Sequence, residues 1–333
     1  MSLRDDPDGG VRGEAISAEI AQSLYGDRLI LKRGELPFTV VALVCAVALG
    51  GVVMVSPRDF WFLAFPASGL TLHVAHWTAD WWRLRRADAR AYFLNEVAED
   101  RREAIAVTEH RANLARTTPM ASWFLLTLIT AVSMVQVAVP GIHRSVALAA
   151  LVKEAARAGE WWRLLTASYL HGNLAHLVGN MCALLALGAV IEAYDRRLRV
   201  PLVYLAGALG GSLCSAIFVH ASGLGASAGV LGLLGYLLVL MDRRGDDSSR
   251  WLRGRFLRMA GATALAGMAG FLVIDNAAHL GGLLAGGLIG LVAVPRRRGS
   301  QADTRRRALD AAGWLAVAIL AGGAVFTIGQ LSQ

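Results

Sequence analysis

Long apolar runs separated by short arginine-rich segments dominate the chain. A helix crosses a hydrocarbon core in about 20 mostly apolar residues. On that ruler nine candidate spans emerge, at roughly 36–55, 60–79, 121–139, 170–191, 200–219, 227–241, 259–274, 278–294 and 311–328. The second is interrupted by Pro66, His73 and His76, so it reads as either a re-entrant segment or a poor span. Those from Ser227 and Ala278 are short, as expected of helices that start below the membrane surface. Residues 80–118 differ: Trp81, Trp82, Leu84, Tyr92, Phe93, Val97, Val107 and Leu114 recur among many charges at near-helical spacing. That pattern predicts a basic amphipathic helix, broken at most once, with its tryptophan end at the membrane interface. Pro119 ends it.

Composition agrees with this map. Of 333 residues 55% are hydrophobic and 17% charged, and the mean hydropathy is +0.48. A soluble domain carries about a quarter charged residues, so an ordinary soluble globule and a disordered chain are both excluded.

The charge balance changes the picture only once it is placed along the chain. The net charge is +8, which on its own would admit a nucleic-acid partner. With the amino terminus cytoplasmic, 28 of the 33 Lys and Arg residues fall in the inside segments. Only Arg58, Arg144, Lys153, Arg157 and Arg163 fall outside. Cytoplasmic loops are enriched in Lys and Arg, so the excess is a topology signal and no nucleic-acid role is invoked. The 31 Arg against 2 Lys point to a GC-rich bacterial genome, hence to a bacterial inner membrane. The first 35 residues are polar, and the apolar run after them is too late and too long for a cleavable signal peptide. Cys45, Cys182 and Cys214 lie inside apolar runs without metal or redox spacing, and read as small buried packing residues.

Polar groups inside such helices are expensive and therefore mark candidate sites. Three segments stand out. In the first, His176 and Asn180 are four residues apart and share a helical face, with His171 roughly one and a half turns earlier. In the second, Gly223, Gly225 and Ser227 lie where a short outer loop becomes a helix. In the third, Asp275 and His279 precede Gly281, Gly282 and Gly286 near the start of a span. A serine alcohol needs a base within about 3 Å to become a nucleophile, and His279 on the same outer side can be that base. Gly281, Gly282 and Gly286 allow the two backbones to approach. Gly223 and Gly225 give the loop the dihedrals that aim the hydroxyl. His176, Asn180 and the Ser227 backbone N–H can face an oxyanion. Asp275, one turn before His279, is expected to point to the outer solvent, which leaves a Ser–His dyad.

HxxxxHxxxN in one span, GxSx heading another and AH with following glycines in a third resemble the rhomboid intramembrane serine proteases. Glu160-Trp161-Trp162-Arg163 is similar to the Trp-Arg motif of that family's first outer loop. The resemblance covers about 119–295. It implies an all-α polytopic membrane protein with a six-helix bundle, here with one carboxy-terminal span (296–333) and an amino-terminal two-span hydrophobic region (36–79). Segment 1–35 is then a polar cytoplasmic terminus and 80–118 the amphipathic helix. It implies cleavage of single-span transmembrane protein substrates near the outer face of the lipid bilayer, without a cofactor or metal. Ser227 would be the nucleophile and His279 the general base, with His176 and Asn180 at the oxyanion positions. Gly225, His171, Trp162, Arg163 and Gly282 would support them. Two departures stand out: Ala228 replaces the glycine that follows the serine, and Leu231 stands where many members carry a tyrosine against the catalytic histidine. A silent relative that binds transmembrane clients is the alternative. A transporter would call for paired midplane carboxylates, whereas Glu192, Asp195 and Asp242 sit at helix ends.

Overall fold

The computed structural model describes residues 30, 32–55, 63–84, 89–270, 274–294 and 302–333. In chain order the elements are α1 (Leu36–Val55), α2 (Ala64–Leu84), α3 (Ala89–Ala115), α4 (Met120–Ala138), α5 (Gly141–Ala149), α6 (Lys153–Arg157) and α7 (Arg163–Thr166). A 3-10 turn (Ala167–Tyr169) follows, then α8 (Leu174–Tyr194), α9 (Arg199–Phe218), α10 (Ser227–Arg244), α11 (Asp247–Ala269), α12 (Asn276–Ala293) and α13 (Ala302–Leu331). The expected segment 1–35 lies almost wholly outside the described residues.

Six helices among the described residues are long and apolar enough to cross a membrane: Lys32–Val53, Met120–Ala138, Leu174–Tyr194, Arg199–Phe218, Asn276–Ala293 and Asp303–Leu331. The other three expected spans are α2, α10 and α11, and each falls short for a visible reason. α10 is as long as α12 but its last turn carries three charges, Asp242-Arg243-Arg244. α11 opens on a charged stretch, Asp247 to Arg258, so the helix starts twelve residues before the expected span at 259. α2 carries His73, His76, Asp80 and Arg83. Pro66 does not break it, because it stands in the first turn, where a missing N–H has no intrahelical acceptor to lose.

α10 is the central helix. Ala228 to Leu237 are all buried, and α8, α9, α11 and α12 pack around it. A helix enclosed on every side needs small residues where its neighbours come closest. α12 shows how the sequence divides the two environments. Gly281, Gly282, Gly286 and Gly290 are buried against the bundle, while Leu280, Leu284 and Leu288 are more than half exposed on the opposite face. Apolar side chains outside and small ones inside are what a lipid solvent selects, since burial in lipid itself costs leucine nothing.

Polar helix ends are capped by their own or neighbouring side chains. Glu192 accepts from the backbone N–H of Ala121 (3.1 Å) and Ser122 (2.9 Å) and from the Ser122 hydroxyl (2.7 Å), so this carboxylate closes the start of α4. Asn173, Asp246 and Asp275 cap α8, α11 and α12 in the same manner. Gly245, at φ +73°, ends α10 in the left-handed region.

The amino-terminal elements differ in detail from the pattern reading. Trp81 and Trp82 belong to the last turn of α2, and the charged helix α3 begins only at Ala89. α1 and α2 pair as a hairpin, with Phe38 edge-on to His73 at 5.8 Å and Lys32 Nζ 3.6 Å from Asp80. α3 docks on the arginine-rich end of the core. Trp251 Nε1 donates to Glu103 (2.8 Å), the Ser248 hydroxyl donates to Glu109, and His110 Nδ1 lies 3.1 Å from the Tyr194 hydroxyl. The cysteines do not fill the core as expected: Cys45 and Cys182 are exposed and Cys214 is half-buried. A weakly polar thiol meets little penalty on an apolar surface, so burial was never required of it.

Candidate active site

Ser227 is the first residue of α10 and His279 lies one turn into α12. Their side chains meet, with His279 Nε2 3.0 Å from Ser227 Oγ. The approach depends on Gly282, one turn further along α12. A Cβ there would run into the Ala228 carbonyl and lie 2.8 Å from its carbon, so any side chain would push α12 away from α10. The lead-in to Ser227 is shaped by Gly225, at φ +131°, which L side chains rarely adopt. A Cβ on Gly225 would stand 2.8 Å from the His176 ring, so His176 rests against this loop two residues before Ser227.

His176 and Asn180 lie on one face of α8. Asn180 is 8% exposed, and its Nδ2 is buried with no hydrogen-bond partner. An amide donor left unpaired in a protein interior costs on the order of 1–3 kcal/mol. His171 is buried further out, before the helix. Its Nδ1 lies 3.2 Å from Ser133 Oγ, and Gln136 brackets its backbone, accepting from His171 N (3.0 Å) and donating to His171 O (2.9 Å). The His171 and His176 rings meet edge to face at 5.1 Å.

The orientation of Asp275 corrects the sequence reading. It faces the interior: Oδ1 accepts from Ala278 N at 2.9 Å, and Oδ2 accepts from the Ser215 hydroxyl. Capping is the physical reason, because a carboxylate at a helix N-terminus is held by the free N–H groups. His279 Nδ1 is buried without a hydrogen-bond partner. The pair is thus a serine and a histidine with no carboxylate on the histidine's far nitrogen.

Around the site runs the connection 140–173. Arg163 is 6% exposed there and its guanidinium donates to Glu160 (2.6 Å), Ala150 O (2.8 Å) and Ala147 O (2.9 Å). It also lies 4.6 Å over the Trp162 ring, which packs on Phe326 of α13 at 5.3 Å. Leu231 is buried in the same core as Leu233 and Leu234.

Sequence reasoning passed over Lys153, 1% exposed, whose Nζ donates to Ser215 Oγ at 2.6 Å. Burial pushes its ammonium below the ordinary lysine value, and the Asp275 carboxylate opposes that shift. It passed over Ser133 and Gln136 as well. A polar pair three apart in the apolar run 121–139 was the available signal, since both project from one helical face.

Taken together, the described residues form an all-α integral membrane protein with a polar serine–histidine site enclosed among its helices. The family model described as Rhomboid domain matches residues 158–296, so the chain carries a rhomboid domain. It is 34% identical over 146 residues to RHOMBOID-like protein 4 of Arabidopsis thaliana, covering 44% of this chain and 37% of that one. It is 38% identical over 135 residues to Rhomboid protease GluP of Bacillus subtilis, covering 38% of this chain and 25% of that one. Over 77 residues it is 46% identical to Rhomboid-related protein 2 of mouse, 23% of this chain and 26% of the relative. The chain spans from a quarter to about half the length of the first curated relatives that it matches, 25% to 52%.

Proposed function

We propose that the protein is an intramembrane serine endopeptidase acting on single-span transmembrane proteins. The observation that carries this reading is the 3.0 Å contact between Ser227 Oγ and His279 Nε2 inside a membrane-spanning bundle. In this reading Ser227 attacks the scissile carbonyl while His279 Nε2 takes its proton. The carbonyl oxygen becomes an oxyanion, and its donors are Asn180 Nδ2, the His176 ring and the Ser227 backbone N–H. The unpaired Asn180 Nδ2 supports that role, since a buried donor without a partner is held ready for an acceptor that arrives with substrate. His279 then donates its proton to the leaving amine, and water, deprotonated by the same nitrogen, releases the acyl group. The substrate must unwind locally, because a helical peptide bond is shielded by its own side chains. Gly225 and Gly282 set the two backbones, His171 backs the His176 ring, and Trp162 with Arg163 braces the connecting loop. The arginine distribution supports an amino terminus in the cytoplasm of a bacterial cell, with the site opening toward the outer leaflet of the inner membrane.

The test is cleavage of a labelled single-span substrate in liposomes by the wild type, Ser227→Ala and His279→Ala. Only the wild type is expected to cleave it. Undiminished cleavage by Ser227→Ala removes the assignment. Binding of the substrate without cleavage by the wild type would favour a client-binding protein, a role compatible with Leu231 at the position discussed above.

A further inference from the structure

One short stretch of the connection 140–173 touches the approach to both members of the pair. Leu151 forms an antiparallel bridge with Gly223: Leu151 N donates to Gly223 O (2.9 Å), and Gly223 N donates to Leu151 O (3.2 Å). Gly223 is four residues before Ser227. Two residues beyond Leu151, Lys153 Nζ donates to Ser215 Oγ at 2.6 Å, and the Ser215 hydroxyl donates to Asp275 Oδ2. Asp275 is four residues before His279, accepts the His279 backbone N–H through its carbonyl (3.1 Å), and caps α12 through its side chain. The two branches converge. A Cβ built on Gly223 would lie 3.4 Å from both Lys153 Nζ and Asp275 Oδ2 and 3.5 Å from Ser215 Oγ. Three stretches remote in sequence, 151–153, 215–223 and Asp275, thus meet at one point, with a buried positive charge and a half-buried negative one bridged by a hydroxyl.

We infer that Leu151–Lys153 is a brace that sets the distance between Ser227 and His279, with Lys153, Ser215 and Asp275 as positioning residues. The inference rests on the protease reading of that pair. Three physical points support it. A lysine 1% exposed is retained only with compensating partners; here Arg157 nearby adds repulsion, and Asp275, bridged through Ser215, supplies the larger compensation with Glu154 the smaller. The link runs from a charged loop to the first turn of the helix that carries His279, where Asp275 also meets the helix dipole. Finally, Ser227 and His279 sit on separate helices whose contact below is made by glycines, which do not hold a register by interlocking side chains. A tie at the head of both helices does so instead.

The experiment compares the wild type with Lys153→Met/Asp275→Asn in liposomes. The double variant leaves no lone buried charge, and asparagine still caps α12. Two quantities are read: the rate of Ser227 labelling by a fluorophosphonate, and hydrogen exchange at the backbone amides of 223–227 and 275–279. Labelling and kcat are expected to fall on the order of 10- to 100-fold with KM little changed, since small misplacement of reacting groups has effects of that size. Faster exchange is expected at both lead-ins. If the double variant does not fold, Ser215→Ala is measured in its place; it keeps both charges and breaks only the bridge. Wild-type labelling rate in either folded variant overturns the positioning role, and so does unchanged exchange at either lead-in. A wild type that neither labels nor cleaves counts against the protease reading, and exchange alone then decides the brace.

Discussion

The carbonyl of Ala228 faces Gly282 so closely that a Cβ there would collide with it, and together with the contacts of Gly286 with Gly232 and of Gly235 with Leu283 this sets the separation between the two helices of the site. Neither partner can yield, because both are backbone within regular helices. Gly282→Ala is therefore expected to cost about 1–3 kcal/mol of stability by overpacking. Cleavage should fall further than the loss of folded protein explains, since Ser227 and His279 separate with the helices. Substrate cleavage normalised to folded protein, measured beside thermal unfolding in detergent, checks both parts.

Asn180 offers a different kind of test, because its Nδ2 has no partner to lose. Asn180→Ala removes an unpaired buried donor, so folding stability should hold or rise slightly. If the amide serves an oxyanion, kcat should drop by roughly 10²–10³ while KM stays near the wild-type value. A variant with unchanged kcat would take Asn180 out of the site.

Arg163 is held by a fork of three acceptors on the connecting loop, two of them the carbonyls of Ala147 and Ala150. Lysine at 163 keeps the charge and cannot reach both carbonyls in one plane. Arg163→Lys should lower the unfolding free energy by about 1–3 kcal/mol, the penalty for an unpaired buried acceptor. Proteolytic nicking between 140 and 173 should accelerate accordingly.

His110 predicts a pH dependence for the docking of α3. Burial lowers its pKa from 6.5, and the Arg255 guanidinium lowers it further. Neutral His110 is thus favoured in the docked state, so docking is fully stable above pH 6.5 and weakens as pH falls from there through the lowered pKa. Protection along 102–115, the exchange rate normalised to the intrinsic rate at each pH, should fall on acidification in that window. His110→Phe keeps a ring beside Tyr194 and Trp251 and should lose the pH dependence. Protection that is flat with pH in the wild type would remove His110 as the cause.

Legibility differed by residue for physical reasons. Ser227, His279, His176 and Asn180 could be read from the chain because a polar group in an apolar run is costly and therefore conspicuous. Lys153 could not, since it sits in a polar connection where a basic residue is ordinary. Asp275 was recognised, and its direction was not, because capping and solvation are equally open to a carboxylate until the neighbouring helix is placed. The apolar pattern locates α10 and α11 but does not give the helix ends, since α10 runs on to Arg244 and α11 starts at Asp247, where charged turns continue the same backbone hydrogen bonding.

The linear pattern by itself determined that the chain spans a membrane as helices, because hydrocarbon leaves the backbone no other partner than its own carbonyls. It also determined which few polar groups lie within those helices. Only the tertiary structure decided that Ser227 Oγ and His279 Nε2 stand 3.0 Å apart, and that Leu151–Lys153 holds the lead-in to each. Those relations join residues more than fifty positions apart, and their distances follow from how closely glycine-faced helices pack, a property of pairs of surfaces that no single segment carries.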